Sequence, residues 1–139
     1  MTSHKSNENM QLKGLLIAIL MLGTALRWFE LGHRGLWWDE LFSVVSSSRS
    51  ETLSALWSDW MVSDSHPPGF QLLLWVWFKI FPDTELWARV PSALASTLAL
   101  FYAAFATRHV LSLTGRTLLT SLLAFSYLTV YYAQEARQY

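Results

Sequence analysis

The chain has 139 residues, of which 53% are hydrophobic and only 14% charged, against about 25% charged in an ordinary soluble domain. Its net charge is zero, which leaves no electrostatic footprint for nucleic acid, and it has no cysteine, which excludes disulfides, thiolate metal sites and cysteine nucleophiles. The apolar residues are blocked, with no charge in 90–107 or in 117–134, so the composition predicts an integral membrane protein.

In chain order, residues 1–11 are polar and expected to be disordered. Residues 12–31 form the first span, with an uncharged centre over 14–26. A signal peptide is the alternative, but the run passes straight into Arg27-Trp28-Phe29 with no small-residue cleavage pattern. Lys5 and Lys13 precede the uncharged centre and put the N-terminus in the cytoplasm.

The first loop follows, over 32–89. The stretch from Arg27 to Pro67 carries Glu30, Asp39, Glu40, Glu51, Asp59 and Asp64 against Arg27, Arg34 and Arg49, an acidic excess compatible with the outer side. Apolar spacing predicts short helices over 40–47 and 52–61, with Asp39 and Ser50 as N-caps. His66-Pro67-Pro68-Gly69 breaks the chain, and an apolar helix over 70–81 is stopped by Pro82. That run is too short to cross and is expected to lie at the outer interface. All eight tryptophans fall between Trp28 and Trp87, as an interface-rich loop would place them.

Residues 90–108 and 117–132 are the second and third spans. Arg108, His109 and Arg116 flank the turn between them. The positive-inside rule puts that turn in the cytoplasm, which returns 134–139 to the side of Asp39 and Glu40. The expected fold class is therefore all-α: a polytopic transmembrane helix bundle with interfacial helices in its first extracytoplasmic loop.

Several short motifs can carry chemistry, each with a plainer role beside it. Trp37-Trp38-Asp39-Glu40 places two carboxylates beside two tryptophans. Asp39 can cap a helix, and it can also act as a general base with Glu40 in support. His66 can be part of a helix start, contact a phosphate or help hold a metal. Arg89 can snorkel to head groups or face an anion. Gln134-Glu135-Ala136-Arg137-Gln138-Tyr139 is either a solvated flank or an acid, a cation and a phenol set beside a span.

Taken in order, Trp-Trp-Asp-Glu, His-Pro-Pro-Gly, Arg-Val-Pro-Ser-Ala-Leu and Tyr-Tyr-Ala-Gln-Glu-Ala-Arg-Gln-Tyr resemble the N-terminal part of GT-C fold membrane glycosyltransferases. The similarity runs over 12–139 and is greatest to bacterial relatives of protein O-mannosyltransferases and lipid A aminoarabinose transferases. It implies a multi-pass enzyme of the bacterial plasma membrane. Such an enzyme moves a sugar from a polyprenyl-phosphate donor to a lipid, glycan or protein acceptor on the extracytoplasmic face. On this resemblance Asp39 and Glu40 are the catalytic carboxylates and His66, Arg89 and Arg137 the phosphate-binding residues. Gln134, Glu135 and Tyr139 belong to the second-loop motif. A divalent metal held by Asp39, His66 and Glu135 is a further way to meet the phosphate charge.

Members of the family's aminoarabinose branch have a lysine before the proline where this chain has His66. Family members also have many more spans and a soluble C-terminal region, so a fragment of a larger protein is expected. Two other classes compete: a non-catalytic membrane subunit, and a transporter or flippase segment. The latter predicts charges or glycine and proline breaks within spans, and none lies at the centres of the second and third. Reporter fusions after Ser63, Thr114 and Tyr139 should read outside, inside and outside. A cytoplasmic signal at Tyr139 would overturn the three-span topology.

Overall fold

The computed structural model describes residues 2–48, 51–62 and 67–137, and no described residue is in a strand. The helices are α1 (Thr2–Trp28), α2 (Trp38–Ser46), α3 (Leu53–Ala55), α4 (Gly69–Ile80), α5 (Glu85–Phe105), α6 (Leu113–Phe125) and α7 (Tyr127–Ala133). A π-turn over Leu56–Met61 continues α3, and a 3-10 turn over Ala106–His109 follows α5. Contacts divide the chain into two compact units. Unit 1 holds Met1–Phe29 and Ala93–Ala133, and unit 2 holds Glu30–Ser92 and Gln134–Tyr139.

Two helical stretches, Ser6–Trp28 and Glu85–His109, are long and apolar enough to cross a membrane. They are not buried core helices, since only 22% and 28% of their apolar windows lie inside the protein. Leu15, Ile17, Met21, Leu98, Phe101 and Phe105 point outward instead.

Unit 1 packs α1 against the second half of α5 and against α6. Leu16, Ile19 and Leu20 meet Leu100, Ala104 and Ala124 in one apolar cluster. Gly23 allows the close approach: a Cβ there would lie 2.8 Å from both Ala124 Cβ and Leu100 Cδ2, the small-residue packing that apolar solvents favour.

Unit 2 is built from the loop 30–37, α2, α3 with its π-turn, α4, the start of α5 and the tail 134–137. Val44, Leu74, Phe78, Ala88 and Ala136 form its core. Pro91 lies inside α5 and has no N–H to give the carbonyl four residues back. That carbonyl, Trp87 O, accepts the Trp77 indole N–H at 2.9 Å instead, which ties α4 to α5.

Several boundaries differ from expectation. Residues 2–11 are helical rather than disordered, because a helix nucleated in the apolar run propagates at little cost through polar residues lacking Gly and Pro. The first helix ends at Trp28, not at 31, where Glu30 takes a left-handed conformation (φ 52°). Asp39 is not an N-cap: α2 starts at Trp38, so Asp39 and Glu40 lie in its first turn. The cap of α3 is Thr52, whose hydroxyl accepts from Ala55 N at 3.1 Å, while Ser50 lies outside the described residues. The apolar stretch 117–132 is two helices, broken at Ser126 (ψ 124°).

Gly23→Val should lower stability by about 1–3 kcal/mol through overpacking. Gly14→Ala, with nothing within 4 Å of its new Cβ, should gain up to about 1 kcal/mol of helix propensity. Thermal unfolding in detergent reads both; equal effects would remove the close-packing account.

Candidate functional site

The site grows from one buried arginine. Arg89, in the second turn of α5, is only 2% exposed. Its five N–H groups form a fixed fork, and each has an acceptor. Nε donates to Glu40 Oε1 at 2.9 Å and Nη2 to Glu40 Oε2 at 2.7 Å. Nη2 also donates to Gly35 O at 3.1 Å, and Nη1 to Leu31 O at 3.0 Å and Arg34 O at 2.8 Å. The left-handed turn at Glu30 bends the loop back so that its carbonyls face the guanidinium.

Glu40 is as fully committed. It is 1% exposed and stands at the third position of α2, where its Oε2 accepts the Trp37 N–H at 3.1 Å, as the second half of a capping box does. Its Oε1 accepts the Ala136 N–H at 2.8 Å. Burial is the largest single influence on its pKa and raises it. Hydrogen bonds from Arg89, Ala136 and Trp37, with the charge of Arg89, outweigh burial and hold the carboxyl below its ordinary value of 4.5.

Asp39, the preceding residue, faces the other way. Its side chain is 61% exposed, and its Oδ2 lies 2.6 Å from Nη1 of Arg137, itself 16% exposed. Its Oδ1 has no partner among the described residues. Segments 96 residues or more apart thus meet twice, at Glu40–Ala136 and at Asp39–Arg137. Glu135 is 7% exposed and makes no hydrogen bond or ion pair with a described residue. Gln134 is half-buried in the turn after α7.

Of the expected site residues, Asp39, Glu40, Arg89, Glu135 and Arg137 all fall within unit 2. His66 and Tyr139 lie outside the described residues. Two of them are fully engaged within the protein. Arg89 is expected to face a phosphate, and all five of its donors are taken by protein oxygens. Glu40 is expected to share the chemistry, and all its acceptor positions are filled by protein donors. Among the described residues no group of three His, Asp or Glu stands ready for a metal ion; of the expected metal ligands, His66 is outside them. Beside α2, Trp38, Leu41, Phe42, Val45 and Trp60 line an apolar groove of about 190 Å³.

The three carbonyls that complete Arg89 were not legible from residue types. Their signal is faint: a short loop with Gly32 and Gly35, followed by a carboxylate in the third helical position. No family model, curated protein or solved structure matches the chain.

Glu40→Gln leaves Arg89 buried without its counter-charge and should cost about 3–5 kcal/mol at neutral pH. Glu40→Leu with Arg89→Met should recover only part of that: no charge remains unpaired, but the carbonyls of Leu31, Arg34 and Gly35 and the N–H groups of Trp37 and Ala136 lose their partners. Since the folded pKa of Glu40 is depressed, its contribution is present above about pH 4.5 and is lost as pH falls through the folded value. Acid unfolding of the wild type should show this component, and Glu40→Gln should lack it. Identical acid profiles would contradict the assignment.

Proposed function

We propose that the chain supplies the first-loop and second-loop motifs of a GT-C type glycosyltransferase of the bacterial plasma membrane. The observation that carries this reading is the meeting of Asp39 and Arg137 at 2.6 Å. It puts an accessible carboxylate and a cation from two distant motifs at one point, as a transfer from a phosphate-linked sugar requires. The donor is a polyprenyl-phosphate sugar, and the acceptor is a hydroxyl or amine on a lipid, glycan or protein.

In this mechanism Asp39 Oδ1 accepts the proton of the acceptor hydroxyl as its oxygen attacks the anomeric carbon. The bond from that carbon to the phosphate oxygen breaks, and the polyprenyl phosphate leaves with the electron pair. Arg137, or a divalent cation, meets the charge on the phosphate. Phosphate is already a good leaving group, so base placement and charge stabilisation dominate. The groove of Trp38, Leu41, Phe42, Val45 and Trp60 offers an apolar surface beside Asp39 for the lipid of the donor. The exposed Trp37 and Trp38, at 65% and 83%, suit the depth where lipid meets water.

The membrane arrangement is part of the proposal. Both membrane-long helices cross, α6 and α7 make a third crossing in two pieces, and the loop 32–89 and the tail 134–139 share the extracytoplasmic side. A transporter segment is the second reading. It is favoured by the break at Ser126 beside the buried Arg27, since broken helices and intramembrane charges mark transport paths.

Asp39→Asn retains size and removes the proton acceptor. Transfer from a polyprenyl-phosphate sugar should fall at least 10²-fold at matched protein level, with expression and unfolding temperature nearly unchanged because the side chain is exposed. Normal transfer by Asp39→Asn would move the base elsewhere. Substrate translocation without any transfer would favour the second reading.

A further inference from the structure

Unit 1 has a charge distribution that the transfer reaction does not use. Between Met1 and Phe29 and between Ala93 and Ala133 the only carboxylate is Glu8, against Lys5, Lys13, Arg27, Arg108 and Arg116. Arg27 is buried and satisfied by neutral oxygens: Ser96 Oγ, Gly23 O and Leu123 O at 2.8 Å each, with Ala124 O and Thr129 Oγ1 at 3.4 and 3.5 Å. Lys13, Arg108 and Arg116 are different. None of the three forms an ion pair with a described carboxylate.

Two of these cations border an apolar groove. Lys13 and Arg116 are the charged members of a lining completed by Leu16, Ile17, Phe105 and Leu113, around about 280 Å³. The groove brings together α1, the end of α5 and the start of α6. Arg116 is anchored through Nε, which donates to Ala104 O at 2.7 Å. Its two terminal nitrogens and the Lys13 ammonium have no acceptor among the described residues. Lys13 stands 14 residues before Arg27 on α1, roughly 21 Å along the helix axis.

We infer that this groove is a binding site for an acidic phospholipid of the surrounding leaflet. The headgroup phosphate lies between Lys13 and Arg116, and an acyl chain runs along Leu16, Ile17, Phe105 and Leu113. Charge complementarity selects this occupant. A zwitterionic lipid brings its own cation to the two unpaired ones, and a soluble phosphate leaves the apolar lining uncovered. Basic pockets between membrane helices take anionic head groups for the same reason. The inference rests on α1 and α5 lying in a membrane. It is independent of any sugar transfer, since no residue of the candidate site takes part.

The test is thermal unfolding of the purified full chain in detergent, titrated separately with dioleoyl phosphatidylglycerol, dioleoyl phosphatidylcholine and glycerol phosphate. Phosphatidylglycerol should raise the unfolding temperature saturably, and the other two should not. Lys13→Gln, an exposed change on α1, should weaken the half-saturation point roughly fivefold, and Arg116→Gln should weaken it as well. If Arg116→Gln fails to fold, Lys13→Gln alone decides. Equal responses to both phospholipids, an unchanged half-saturation in Lys13→Gln, or competition by glycerol phosphate would each overturn the site. Loss of transfer activity moves none of these readings, so failure here is distinct from failure of the proposed enzyme.

Discussion

The buried pair of Glu40 and Arg89 is the interaction on which unit 2 depends. Taking both charges out of water costs several kcal/mol per ion, and their attraction offsets this only when every remaining donor and acceptor is met. Here all are met. The guanidinium takes three loop carbonyls besides the carboxylate, and the carboxylate takes two backbone N–H groups besides the guanidinium. A pair so committed admits one arrangement of its neighbours. The loop 30–37, the first turn of α2, the start of α5 and the tail at Ala136 are joined through it. Asp39 is accessible and beside Arg137 because Glu40 and Ala136 are not free to move.

Arg27 solves a similar problem in unit 1 by different means. The end of α6 leaves carbonyls without helical partners, and the guanidinium of Arg27 meets those of Leu123 and Ala124. A cation at a helix C-terminus is also favoured by the helix dipole. The break at Ser126 is therefore tolerable in an apolar setting, where an unmet backbone group would be expensive. Thr129 adds a hydroxyl to the same carbonyl of Leu123 at 2.6 Å.

Helices were readable where apolar runs were long or sharply bounded. The α4 stretch was expected over 70–81 and is Gly69–Ile80, because Pro67, Pro68 and Pro82 leave few alternatives. The break at Ser126 was not readable: no glycine or proline marks it, and its support is Arg27, which the linear sequence left at the edge between the first span and the loop. The same limit applied to the site. Residue types singled out Asp39, Glu40, Arg89 and Arg137, since carboxylates and arginines beside apolar runs need partners. Which carboxylate is buried follows from helix phase. Asp39 and Glu40 differ by one position, about 100° around α2, and the start of α2 at Trp38 rather than after Asp39 decides which one faces Arg89.

The most direct test of this account uses the absence of native cysteine. Asp39→Cys with Arg137→Cys gives a single thiol pair, to be joined by a short bifunctional thiol reagent in the purified protein. The account predicts efficient intramolecular cross-linking, because the Glu40–Ala136 bond still holds the tail to α2, and its collapse when Arg89→Met is added. No cross-link in the first variant, or an undiminished one in the second, would contradict the claim that Glu40 and Arg89 assemble the site.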